Sequence, residues 1–141
     1  MHKRIPMTAP LHFETLIPSL LDTTVSAFQN GSIDVANNIL MNLIFSLKEQ
    51  NNELKSLLFK LDTEPTISTS LDNEDFHDSM IIVEDMAEKL LYVSKQHKEK
   101  SDIFNELYKI SEDIFANSIT LSNEVSAVAS ELRHKELQYA S

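Results

Sequence analysis

The sequence predicts an all-α protein: an up-and-down helical bundle of three long helices plus one short N-terminal helix, with coiled-coil-like packing. One glycine and four prolines in 141 residues leave little material for hairpins and tight turns, which favours long helices. Apolar residues recur at alternating spacings of four and three, the pattern of helices that pack along a seam. The length fits one domain, and 42% hydrophobic with 24% charged residues is typical of globular chains.

The first residues are predicted to form an irregular arm, 1–17, ahead of a single helical domain over 18–141. Pro6 and Pro10 interrupt this arm, and its basic start is not followed by an apolar run of signal-peptide length. The most apolar stretch, 39–47, is far too short to span a membrane. We therefore predict a soluble, cytoplasmic protein, with export without a cleaved signal as the alternative.

The first two helices are predicted over 18–29 and 33–61. Pro18 suits a first helical position, where its missing N–H is no loss, and Gly31 is the natural residue just past a helix end. Ser32 is expected to cap the second helix. The apolar seam of the second helix, interrupted at one position, consists of Ala36, Leu40, Leu43, Leu47, Leu54, Leu57 and Leu61.

A polar linker is predicted over 62–71, because this segment contains Pro65 and a run of threonine and serine. Asp72 or Ser70 is expected to cap the third helix, predicted over 73–97. Its main apolar stripe consists of Phe76, Met80, Val83, Ala87 and Leu90.

The last helix is predicted over 102–139. A turn is expected before it because residues 94–102 include no apolar side chain. That stretch also lacks glycine and proline, so one continuous helix over 73–139 is the alternative. The seam of the last helix consists of Ile103, Leu107, Ile110, Ile114, Leu121, Val125, Val128 and Leu132.

The negative charge is concentrated in one segment. The chain carries a net charge of −10, and residues 62–88 hold nine acidic residues with no lysine or arginine. Such a field repels phosphate backbones and anionic lipid head groups. The distribution therefore argues against nucleic-acid binding and favours a protein partner.

No motif for catalysis or cofactor binding is present in the sequence. The chain has no cysteine, and with one glycine it has neither a nucleophile elbow nor a phosphate-binding loop. His97 is expected to be solvated in a polar turn, and His77 is expected at the surface unless it is buried near acids, where it would respond to pH. We predict that the protein is not an enzyme and holds no cofactor.

A di-metal helical-bundle enzyme is a remote alternative, because two Glu-x-x-His motifs occur, Glu74 to His77 and Glu131 to His134. With a turn near residue 100, the two histidines differ by eleven positions in register, or about 16 Å along the helices. This separation is too large for a shared metal, so no metal ligand is predicted.

Two segments have more apolar surface than a small bundle needs. Residues 39–45 are apolar on almost all sides, and 121–132 extend beyond the expected reach of the shorter helices. Both are suited to receive an amphipathic helix of a partner or to pair with a second copy. The predicted partner-binding residues are Ile39, Met41, Ile44, Phe45, Leu121, Val125, Val128 and Leu132.

These surfaces predict a protein–protein interaction module of the chaperone or adaptor kind that binds an amphipathic helical client. A small, acidic, cysteine-free helical chain with heptad seams resembles secretion chaperones in general character. The alternative is a structural coiled-coil subunit that assembles with itself, as a scaffold or as a component of a secreted assembly.

Overall fold

The structure, a computed structural model, describes residues 22–99 and 101–140, the last three of these by their backbone alone. The predicted arm and the predicted start of the first helix lie outside the described residues. The described part contains five helices and no strand, which confirms the all-α bundle. The helices are α1 (22–29), α2 (Ile33–Thr63), α3 (Ile67–Leu71), α4 (Glu74–His97) and α5 (Asp102–Ala140).

The connection between α1 and α2 depends on the single glycine. Gly31 has φ +84°, a left-handed conformation that glycine adopts without steric cost. The N–H of Ser32 donates to the carbonyl of Ala27 at 2.8 Å and satisfies a carbonyl at the end of α1. Ser32 occupies the N-cap position of α2, but its side chain makes no capping hydrogen bond, so this part of the prediction is wrong.

The predicted linker, 62–71, is corrected by the structure, because its second half forms α3. Pro65 precedes this helix, and Ile67 and Leu71 are one turn apart on the same side. Both side chains pack against the hydrophobic core, and Ser68 between them is fully buried. The burial of two apolar residues thus stabilises a short helix in a segment whose local composition indicates an irregular chain.

The residue that caps α4 also differs from the prediction. The side chain of Asn73, rather than Asp72 or Ser70, accepts a hydrogen bond from the backbone N–H of Phe76 at 2.9 Å. The carboxylate of Asp72 is instead engaged by side chains of α4 and α5. Asp72 is bound by His77 and Arg133, and a capping rule based on neighbouring residues does not predict such a tertiary contact.

A turn separates α4 from α5, so the continuous helix over 73–139 is ruled out. The ring of Phe28 in α1 packs edge-on against Phe104 and against His97, with centroid distances of 5.3 and 5.6 Å. His97 is therefore half-buried in an aromatic contact and not solvated as predicted. The packing of α1 on this end of the bundle accounts for the difference.

α5 is the element that α2, α3 and α4 all contact. Contacts from Lys48 to Glu106 and from Asn51 to Asn117 show that α2 and α5 run in the same direction. α4 runs antiparallel to both, which gives the predicted up-and-down order of the three long helices. The shared core consists of Leu40, Leu43, Ile44, Leu47, Leu54 and Leu61 of α2, Phe76, Met80, Val83, Met86, Ala87 and Leu90 of α4, and Phe104, Leu107, Ile114, Leu121 and Val125 of α5.

Candidate partner-binding surface

The predicted site residues of α2 divide between the surface and the core. Met41 and Phe45 are 58% and 66% exposed. Ile39 is half-buried, and Ile44 is buried in the core cluster. Residues 39–45 are therefore apolar on nearly all sides, but of the four predicted side chains only Met41 and Phe45 are exposed to a partner.

The predicted site residues of α5 belong mostly to the core. Leu121 and Val125 are completely buried, and Val128 and Leu132 are half-buried. The prediction that residues 121–132 extend past the shorter helices is therefore wrong. The end of α2, α3 and the start of α4 all lie beside this part of α5 and cover its seam.

Phe59 is a further exposed residue that the sequence analysis did not single out. It is 69% exposed and lies near the end of α2. Phe59 follows Met41 by 18 residues, about five turns of an α-helix, and Phe45 follows Met41 by one turn, so all three lie on one side. We call Met41, Phe45 and Phe59 the outer face of α2. Local periodicity does not identify Phe59, because the positions before it on this side of α2 are Lys48, Asn52 and Lys55.

An open groove of about 500 Å³ lies between the second half of α2 and α5, beside Phe59. Leu58 and Leu61 of α2 and Val128 of α5 provide its apolar lining. Three exposed carboxylates also line this α2–α5 groove, from Asp62, Glu124 and Glu131. The groove combines an apolar surface with negative charge, and this is a geometry suited to a helix or peptide from another protein.

A second notable arrangement is a cluster of polar side chains, the Asp72 cluster, at the start of α4. The His77 imidazole lies 2.7 Å from Asp72 Oδ1 through Nε2 and 2.7 Å from Ser122 Oγ through Nδ1. Arg133 donates to Asp72 Oδ2 at 2.6 Å, and Ser126 Oγ lies 3.2 Å from His77 Nε2. Hydrogen bonds from His77 and then from Arg133 hold the pKa of Asp72 below its usual value.

The Asp72 cluster brings together a carboxylate, an imidazole and a serine, but its surroundings point to a structural role. Ser122 lies in the interior of α5, where backbone N–H groups bond within the helix. Those groups are not directed at a position where an oxyanion could form on a substrate attacked by Ser122. We interpret the cluster as the polar connection that fixes the junction of α3 and α4 to α5.

The two Glu-x-x-His motifs lie in different surroundings. His77 faces Ser122 and Ser126 of α5, near the middle of that helix, while His134 lies near its end. In the part of the chain that the structure describes, no group of three or more histidine, aspartate or glutamate side chains is arranged to hold a metal ion. Over the same residues, no helix combines the length and hydrophobicity that a membrane span requires.

Comparison with known proteins finds no match: no protein family, no curated protein and no solved structure is significantly similar to this chain.

Proposed function

We propose that this chain is a protein–protein interaction module, chaperone-like or adaptor-like, that binds an amphipathic helix of a client protein on the outer face of α2. The supporting observation is that three large apolar side chains on one side of this helix, Met41, Phe45 and Phe59, are each more than half exposed. Met41 and Phe45 form one exposed apolar patch, and Phe59 forms a second about 20 Å further along the same side, beyond Lys48, Asn52 and Lys55. Exposed apolar patches of this kind are suited to bind the apolar side of a partner helix.

The energetic argument follows from the area that these side chains leave in water. Complete burial of a large apolar side chain is worth about 1.5–3 kcal/mol, so covering the exposed parts of three such residues is worth on the order of several kcal/mol. A client helix with one apolar group over Met41 and Phe45 and another over Phe59 would cover both patches. The negative net charge disfavours nucleic acid as the partner. We also propose that the protein acts in the cytoplasm, with export without a cleaved signal as the alternative.

Binding of a defined peptide tests the proposal. The probe is a fluorescently labelled amphipathic peptide of about 18 residues, five helical turns, with leucine on one face. We expect binding to the wild-type protein and at least about tenfold weaker binding to the Phe45→Ser/Phe59→Ser variant, because two apolar anchors are lost.

Tyr92→Ser is the matched control, since Tyr92 is a 70% exposed aromatic residue on α4. Its affinity for the peptide should equal that of the wild type. If the control weakens binding as much as the double variant, or if the double variant binds normally, the outer face of α2 is not the binding surface.

Self-assembly as a structural subunit is the second candidate function. It is favoured by two exposed large apolar side chains on α4, Ile81 and Tyr92, which lie three turns apart with the exposed acids Asp85 and Glu88 between them. A subunit with exposed apolar residues on both α2 and α4 would be able to associate with copies of itself. Sedimentation over a wide range of protein concentration distinguishes the two functions, because a chain that stays monomeric throughout does not self-assemble.

A further inference from the structure

The α2–α5 groove has a one-sided charge that the outer face of α2 lacks. Among the described residues that line it, Asp62, Glu124 and Glu131 are acidic and none is basic. Nearer the start of α2, a second groove between the same two helices is lined by charges of both signs, including Lys48, Lys109 and Glu106. The charged lining of the α2–α5 groove beside Phe59 is thus purely acidic, and the nearest bases along α5, Arg133 and Lys135, line the neighbouring groove.

We propose that the client helix enters the α2–α5 groove at Phe59, the residue that the groove shares with the outer face of α2, and that it is cationic there. It places a large apolar side chain against Leu58 and Val128 and directs lysine or arginine toward the surrounding carboxylates. This inference rests on the proposed function and specifies the chemistry of the partner. The apolar lining provides the anchor, and the acidic residues select the sign of the partner's charge. A helix with an acidic polar face would bring like charges together at the same place.

The positions of the carboxylates specify the pattern of the partner. Glu124 and Glu131 are seven residues apart on α5, so they lie two turns and about 10 Å apart on one side of that helix. Asp62 lies across the groove on α2. A client helix that runs along the groove meets both glutamates with basic residues spaced by seven. Its apolar anchor then lies between these bases, over Val128, which is one turn beyond Glu124.

Each of these contacts is exposed to solvent, so the selection is a sum of weak and salt-dependent attractions. Exposed ion pairs contribute little individually, and the screening length is about 8 Å at physiological ionic strength. Three pairs acting together should shift affinity by about tenfold. The same field should accelerate association of a cationic helix at low salt.

Two peptides and two charge variants test this inference. The peptides share one apolar face and carry either lysine or glutamate on the polar face. We expect the lysine peptide to bind the wild-type protein at least about tenfold more tightly than the glutamate peptide. The Asp62→Asn/Glu124→Gln/Glu131→Gln variant should lose most of this preference. The Asp78→Asn/Asp85→Asn/Glu88→Gln variant, which removes the same net charge from the exposed surface of α4, should retain it.

The outcomes separate this inference from the proposed function. Equal binding of both peptides, each weakened by Phe45→Ser/Phe59→Ser, would overturn the charge selection and leave the helix-binding function supported. If both charge variants lost the preference for the lysine peptide equally, that preference would come from the net charge of the protein. This result would also overturn the inference. Failure of both peptides to bind the wild type would contradict the proposed function itself. Thermal melts of both charge variants verify that they are folded.

Discussion

The Asp72 cluster shows how a few polar side chains fix the position of a helix. Asp72 lies between α3 and α4, and its carboxylate accepts hydrogen bonds from the side chains of Arg133 and His77. Both partners stabilise the charged form of the carboxyl group, so its pKa in the folded protein is lowered. A lowered pKa means that the ionised carboxylate stabilises the fold above the unfolded pKa and that this contribution is lost as pH falls through the folded pKa.

We therefore expect Asp72→Asn to reduce the free energy of unfolding at pH 7 by roughly 1 kcal/mol, because charge-assisted hydrogen bonds are lost at a partly exposed site. The difference between the wild type and the variant should begin to shrink as the pH falls below the ordinary aspartate pKa of about 3.9, where the unfolded chain takes up the proton. It should disappear as the pH falls through the lowered pKa of Asp72 in the folded protein. Urea denaturation at pH 7 and at low pH measures both quantities. A difference that is constant with pH would show that Asp72 acts through its shape and not through its charge.

The pKa of Glu53 is shifted in the opposite direction to that of Asp72. Burial, and secondly the charge of Glu49 one turn earlier, raises the pKa of Glu53 above its usual value. Its Oε1 atom is buried and has no hydrogen-bond partner among the described residues. The ionised form therefore destabilises the fold at neutral pH, and protonation relieves this cost as pH falls through the raised pKa.

Glu53→Gln should consequently stabilise the protein at pH 7 by about 0.5 kcal/mol, the size of a like-charge repulsion between residues one helical turn apart. The gain should disappear in acid, below about pH 4, where the wild-type side chain is already neutral. Calorimetric melting temperatures at the two pH values test this expectation. A lower melting temperature for the variant at pH 7 would contradict it.

At the scale of the helices, a hydrogen bond between buried Asn51 and half-buried Asn117 favours one alignment of α2 with α5. Asn51 is buried in the seam of α2, and its side-chain oxygen accepts a hydrogen bond from the Asn117 amide at 2.8 Å. A polar residue in an otherwise apolar seam specifies register, because a shifted alignment leaves the buried amide without a partner. The pair costs some stability and makes one arrangement of the two helices unique.

Asn117→Leu should destabilise the protein by about 1–3 kcal/mol, because the buried side chain of Asn51 loses its partner. The double variant Asn51→Leu/Asn117→Leu should recover most of that loss, since two apolar side chains then face each other. Denaturation of the wild type, both single variants and the double variant gives the coupling energy. Additive effects of the two substitutions would show that the side chains do not interact.

The helices themselves could be predicted from the sequence because their determinants are local. The leucine seam of α2, Gly31 after α1 and the apolar gap before α5 are all visible within a few helical turns. α3 could not be predicted, because its stability comes from the burial of Ile67 and Leu71 on a core assembled from distant segments. Asn51 could not be assigned to the core for the same reason, as its partner is 66 residues away.

For the whole molecule, the sequence indicated which helix faces are apolar but not which of them the chain itself covers. Met41 and Phe45 lie on the exposed side of α2, and their contact with a partner stays a prediction. Leu121 and Val125 are predicted to contact a partner but lie in the core, because the end of α2 and the start of α4 pack beside this part of α5. Phe59 and the acidic residues of the α2–α5 groove come together only in three dimensions. The periodicity of a sequence predicts the side of the helix on which a residue lies. Whether that side is buried depends on tertiary packing.

Because the buried residues of α5 and the exposed residues of α2 are different sets, we expect folding and binding to respond to different substitutions. Leu121→Ala removes a completely buried side chain and should lower the free energy of unfolding by about 2–5 kcal/mol. Phe45→Ser/Phe59→Ser changes exposed side chains and should alter stability by at most about 0.5 kcal/mol per site. Denaturation measures the first effect and peptide binding the second. If Leu121→Ala barely changed stability but weakened peptide binding, residue 121 would be a contact for the partner, and the cover that α3 and α4 provide over α5 would not persist in solution.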